Sequence, residues 1–273
     1  MENGMGLEQF LITVSGWVPR PIVNKLHHDS RLTRVVRPVV NRLVPDRQVL
    51  VTVRSGPAKG VRLYILPGRE KYYWTGLHEL HVQETLTRLL RPGAIFWDIG
   101  AHTGFFSLLA SRIVGPGGQV HAFEPMTLNR ERLTRSIAAN AASNVSIHAE
   151  AVAATSADAF LHAHPETVMW SLVGEATAAS DNGERVTCRG LDDLGAILGP
   201  PDVVKVDAEF AELDVLRGGV NLLTTHRPAV IVEFMNADDL AEARRLLPPF
   251  RFEHIGQDHW LLTPDGPGAR RAD

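Results

Sequence analysis

The chain has 273 residues, 44% apolar and 22% charged, enough for one large or two modest globular domains with an ample core. A net charge of −3 leaves no electrostatic footprint for nucleic acid, although the N-terminal third is locally rich in arginine. The single cysteine, Cys188, excludes an intramolecular disulfide, and no positively charged segment precedes the apolar "FLITVSGWV", so a secretory signal is not supported and a cytoplasmic location is expected.

Residues 1–46 alternate short apolar helical patterns with Pro19, Pro21, Pro38 and Pro45 and read as an N-terminal helical cap. Within it, "FLITVSGWV" is too short for a bilayer span, which needs about 20 apolar residues. It reads as an amphipathic helix packed on the body, and this N-terminal region is the candidate surface for a homo-oligomer. "VLVTVRSG" and "GVRLYIL" alternate as two strands of a hairpin around "SGPAKG". "HELHVQETLTRLL" has helical spacing and stops at Pro92 and Gly93. Strands and helices then alternate: "AIFWDI", a helix over 104–114, "QVHAF", a helix over 128–141 and "VSIHAEAV". After 155–190, which reads as short strands and loops without the expected crossover helix, come "DVVKVDA", a helix over 211–223, "AVIVEF", a helix over 237–247, and a closing pair, "FRFEHIG" and "HWLLT". This order predicts an α/β fold with a mostly parallel sheet covered on both faces and an antiparallel pair at one edge. The expected organisation is a cap and hairpin over 1–77, a main domain over 78–265 and a flexible tail over 266–273.

In open α/β sheets ligands bind outside the carboxyl ends of the strands, where strand order reverses. "FWDIGAHTG" ends one strand in Asp98, Gly100 and Gly104, and "HAFEP" ends the next in Glu124. Glycines let the backbone approach a ligand, and a strand-end carboxylate can accept both hydroxyls of a ribose. A dinucleotide loop would need G-x-G-x-x-G, but His102 and Phe105 stand where glycines should be. The expected ligand therefore holds a ribose and no diphosphate.

"DIGAHTGFFSLLA", "VHAFEP", "VVKVDAEFAELDVLRGG" and "HRPAVIVEF", in this order, resemble the FkbM family of S-adenosylmethionine-dependent methyltransferases over roughly residues 78–235. The resemblance implies the class I methyltransferase fold, a Rossmann-like seven-stranded sheet with one antiparallel strand. It also implies S-adenosyl-L-methionine as cofactor and O-methylation of a small molecule, natural product or sugar, with a small-molecule or glycan acceptor. By that resemblance Asp98, Gly100, Ala101, His102 and Gly104 form the loop around the methionine part, Glu124 takes the ribose, and Glu150 and Ala151 fall beside the adenine. Two departures stand out. The family usually has asparagine at His102 and glycine at Phe210, the second bearing on the shape of the acceptor pocket.

Lys205, Asp207 and Glu209 alternate near the end of a central strand, where three charges are costly unless paired or functional. Lys205 suits a structural ion pair. Asp207 is expected to contact the sulfonium region or orient the acceptor, and Glu209 to take the proton of the attacking hydroxyl, with His102 the substitute base. Glu233 ends "AVIVEF" similarly, as a functional group or a helix cap. Two carboxylate oxygens make a weak Mg²⁺ site, so no metal is expected. His162 and His164 lack a third ligand and read as a solvated loop. The "KYYWTG" cluster, Lys71 to Gly76, reads as packing or as a lid over the site. The rival classes are a dinucleotide-dependent oxidoreductase, disfavoured by the failed glycine pattern, and a catalytically silent cofactor-binding module.

Overall fold

Apolar alternation folds Val49–Thr52 (β1) and Arg62–Ile65 (β2) into the expected antiparallel hairpin, with Val51 opposite Leu63. The computed structural model describes residues 47–67, 70–163, 170–173 and 183–265; the expected cap over 1–46 and tail over 266–273 lie outside the described residues. Two short helices follow the hairpin, Lys71–Thr75 (α1) and Leu80–Leu89 (α2), the second ending before Pro92 as anticipated.

The main sheet is built from Ile95–Ile99 (β3), Gln119–Phe123 (β4), Val145–His148 (β5), Val203–Val206 (β10), Ala229–Glu233 (β11), Phe250–Gly256 (β12) and His259–Pro264 (β13). Its order is β12-β13-β11-β10-β3-β4-β5, and only β13 runs against the others. That is the expected mostly parallel seven-stranded sheet with its antiparallel pairings at one edge. Strands covered on both faces read as continuous apolar runs, and β3 divides its side chains accordingly. Phe96 packs with Phe106, Leu109, Val120 and the hairpin residues Leu63 and Ile65; Trp97 packs on the other face with Phe123, Val204, Leu216 and Val230.

Helices Phe105–Val114 (α3) and Thr127–Asn140 (α4) cross between β3, β4 and β5. The open edge of β2 is covered by α4. Ser136 Oγ accepts from Tyr64 N and Asn140 Oδ1 from Arg62 N, both at 3.0 Å, which fixes the hairpin against α4.

The stretch after β5 departs from the expected single strand "VSIHAEAV". The chain leaves the main sheet at Ala149 and starts a second, four-stranded sheet from Ala151–Val152 (β6), Ala157–Ala163 (β7), Trp170–Val173 (β8) and Gly183–Arg189 (β9), in the order β6-β9-β7-β8. His162 falls on β7, and His164 lies outside the described residues. The helix Leu191–Leu198 (α5) was not anticipated. The helix expected over 211–223 is two, Glu212–Arg217 (α6) and Val220–His226 (α7), because the chain breaks at Gly218, whose carbonyl accepts from Asp192 N of α5 at 2.9 Å. The last helix, Ala237–Leu246 (α8), is capped by Asn236, whose side chain accepts from Asp239 N. No helix among the described residues is long and apolar enough to cross a membrane.

Candidate active site

Strand order reverses between β3 and β10, and a cavity of about 290 Å³ opens at the carboxyl ends of β3, β4 and β10. Of the residues singled out in the sequence, Gly100, His102, Glu124, Glu150, Ala151, Asp207 and Glu209 line it. Asp98, Ala101 and Gly104 do not. They form the layer behind the wall, where contacts within the protein hold each of them.

Asp98 answers to a neighbour inside the sheet. The register places Lys205 directly beside it, and both side chains are buried. Lys205 Nζ lies 2.9 Å from Asp207 Oδ2 and 3.9 Å from Asp98 Oδ1, over the face of Phe106. Burial pulls the lysine toward neutrality, but the carboxylates of Asp207 and Asp98 outweigh it and raise its pKa above the ordinary value. Asp98 is pushed up by burial against the pull of Lys205 and of Ser107, whose hydroxyl donates to Oδ2 at 2.5 Å. Lys205 thus fixes Asp207 at the cavity wall while Asp98 supplies a second countercharge beneath. No group of three or more His, Cys, Asp or Glu side chains among the described residues is placed to hold a metal ion.

The glycine loop owes its glycines to the protein as much as to any ligand. Gly100 has φ +78°, and a Cβ there would stand 1.8 Å from the carbonyl oxygen of Asp207. Gly104 has φ +89°, and its Cβ would meet Leu133 Cδ1 at 2.5 Å. The loop is held onto β4 by Gly100 N and Ala101 N, which both donate to Phe123 O at 3.0 Å. Glu124 completes the turn: its carboxylate accepts from His102 N (2.8 Å), Met126 N (3.0 Å) and Asn129 Nδ2 (3.3 Å). Burial raises its pKa, and those backbone donors hold it back. A carboxylate has about four acceptor positions, so one remains for a ligand on the cavity side.

The residues from 98 to 255, more than half of the chain, match the Methyltransferase FkbM domain. The chain belongs to the FkbM methyltransferase family. No curated protein matches it. Among solved structures it is similar to a methyltransferase FkbM from Methylobacillus flagellatus KT (17% identity, 66% of this chain and 50% of that one, TM-score 0.46). It is also similar to a precorrin-6y C5,15-methyltransferase from Geobacter metallireducens GS-15 (18% identity, 71% of this chain and 90% of that one, TM-score 0.43). A third is TrmN from Thermus thermophilus (17% identity, 67% of this chain and 48% of that one, TM-score 0.44). The chain spans about half the length of the Methylobacillus protein.

Ahead of the FkbM match, Glu70 and Tyr73 complete the cavity wall. Tyr73 belongs to the "KYYWTG" cluster; Glu70 carried no sequence signal, because its partner lies 62 positions away. Arg132 Nη1 donates to Glu70 Oε1 at 2.5 Å, and Arg132 Nη2 lies 3.2 Å from His102 Nε2. Tyr73 Oη lies 3.1 Å from His102 Nδ1. Burial and then the Arg132 charge lower the His102 pKa to about 3, so the imidazole is neutral. Nε2 lies between a donor, Arg132 Nη2, and an acceptor, Glu70 Oε1 at 3.3 Å, while Nδ1 faces the Tyr73 hydroxyl, which can donate or accept. Both ring nitrogens are engaged, and a group titrating near pH 3 is a poor proton acceptor. Both features work against the substitute-base role expected of His102.

Glu209 stands exposed at the mouth. Partial burial of its carboxyl, with the charges of Asp207, Glu233 and Glu212, pushes its pKa up to about 7. Glu233 is likewise raised to about 7 by burial and by Asp207. Glu212 was not foreseen: its Oε1 accepts from Ala208 N at 2.9 Å and Phe210 N at 3.3 Å, and so holds the turn that presents Glu209.

Proposed function

We propose that this FkbM-family chain binds S-adenosylmethionine in the cavity and transfers its methyl group to a hydroxyl oxygen of a small-molecule, natural-product or glycan acceptor. The observation that carries the reading is the charge of the wall. Glu70, Glu124, Glu150, Asp207 and Glu209 line the cavity, and no lysine or arginine does among the described residues. Arg132, Arg189 and Lys205 pair Glu70, Glu150 and Asp207 from behind, so the wall presents a ring of acceptor oxygens, which suits a ligand with hydrogen-bond donors or a cationic centre. When bound, the cofactor supplies an activated methyl group on a sulfonium. The chain's own residues would then bind and align: Glu124 would accept one ribose hydroxyl at its remaining acceptor position, Glu150 and Ala151 would flank the adenine end, and Asp207, fixed by Lys205, would face the sulfonium. Alignment can contribute about 7–11 kcal/mol in favourable cases. The hydroxyl proton passes to Glu209, whose pKa of about 7 makes it an effective acceptor near neutrality.

Glu124→Gln keeps the size of the side chain but removes a charge-assisted contact worth about 1.5–3 kcal/mol. Titration calorimetry with S-adenosylhomocysteine is expected to show affinity weakened about 10- to 100-fold; unchanged affinity would overturn the ribose assignment. For Glu209 the expected result is a pH profile. The base must be ionised, so kcat/KM rises with pH up to about 7 and levels off above it. Glu209→Gln should lower kcat at least tenfold and abolish that limb while cofactor affinity stays within about twofold. Survival of the limb in the variant would assign the proton to another group.

A further inference from the structure

Phe210 has φ +75°, directly after Glu209 at φ +49°. A bulky residue in the left-handed region is a genuine outlier, in a conformation that glycine adopts without cost. Glu212 braces the turn, yet the fold gains little from the ring itself, which is 56% exposed. Backbone strain that returns no internal packing points to a use outside the fold. The setting supplies one. Glu209 and Ala211, on either side of Phe210, both line the cavity. The neighbouring parallel strand β11 ends in Glu233, and Met235 just beyond it is 52% exposed. An exposed ring therefore sits in the turn between two residues of the cavity wall, next in the chain to the carboxylate of Glu209.

We infer that Phe210 is the acceptor platform: it stacks on a flat apolar ring of a neutral or cationic acceptor and brings the attached hydroxyl to Glu209. An anionic acceptor is disfavoured by the carboxylates of the cavity wall. This inference rests on the reading of the cavity as a methyl-transfer site and narrows the acceptor class for it.

The test uses the full chain saturated with S-adenosylhomocysteine and three probes followed by NMR titration: phenyl β-D-glucoside, methyl β-D-glucoside and 4-hydroxybenzoate. The phenyl glucoside should bind about three- to tenfold more tightly than the methyl glucoside, and the anionic benzoate most weakly. Phe210→Tyr should keep the preference for the phenyl probe. Phe210→Gly and Phe210→Ala should both lose it, with affinity for S-adenosylhomocysteine unchanged. Only Phe210→Gly should raise the thermal midpoint, by about 2–4 °C, because only glycine relieves the left-handed strain. Equal binding of the two glucosides by the native chain, or a preference that survives loss of the ring, overturns the inference. Failure to bind S-adenosylhomocysteine at all overturns the cofactor reading instead.

Discussion

Gly100→Ala is expected to unfold the protein or to lower its stability by about 4 kcal/mol or more, in the range reserved for severe core lesions. The added methyl would lie 1.8 Å from the Asp207 carbonyl oxygen, a backbone atom that cannot swing aside without moving β10. Gly93→Ala is the control. Gly93 also has positive φ, +84°, but nothing lies within 4 Å of its Cβ position, so only the conformational cost of about 1–2 kcal/mol applies. Urea unfolding of the two variants separates the causes. If Gly100→Ala melted no lower than Gly93→Ala, the close packing of the β3 and β10 loop ends would be refuted. Selective loss of cofactor binding in a stable Gly100→Ala protein would then make the glycine a ligand-facing requirement, as its place in the loop suggests on sequence alone.

The difference between those readings shows where the sequence was legible. Strand-end glycines and carboxylates carry a local pattern, so the loop at Asp98–Gly104 and the acid at Glu124 stand out from spacing. The parallel sheet follows from alternating apolar runs, and the hairpin from its turn. What a glycine avoids is another matter. The carbonyl that excludes a side chain at Gly100 comes from position 207, and nothing in a linear pattern reports it. The Glu70–Arg132–His102 network was hidden for the same reason. Strands β7 and β9 were hard to read because their antiparallel pairing leaves charges such as Asp158 and Arg185 exposed, without the buried, continuous apolar signature of the main sheet. Helix α5 was masked by the glycines that bracket and interrupt "LDDLGAILG", residues that ordinarily signal loops. Phe210 in a left-handed turn runs against residue propensity altogether, and such conflicts concentrate at functional sites.

Lys205→Met tests the layer on which the site stands. A methionine fills most of the lysine's volume, so the change isolates the charge. It leaves Asp98, 1% exposed, with the Ser107 hydroxyl donating to it but no countercharge beside it, and leaves Asp207 unanchored at the wall. Removing one member of a buried ion pair costs about 3–5 kcal/mol, because the surviving charge stays desolvated. The sign of the pH dependence follows. Asp98 already titrates above its ordinary value, so the folded state favours its protonated form; stability on that account is present at low pH and lost as pH rises through the folded pKa. Without the lysine that pKa moves further up, and the loss deepens between weakly acid and neutral pH. Urea unfolding at pH 5 and pH 8 should therefore show the Lys205→Met deficit larger at pH 8. Adding Asp98→Asn removes the stranded charge and should recover part of the deficit, most of all at pH 8. A deficit that ignores both pH and the second substitution would mean that Lys205 acts through packing against Phe106, and that Asp207 is held in place by the backbone alone.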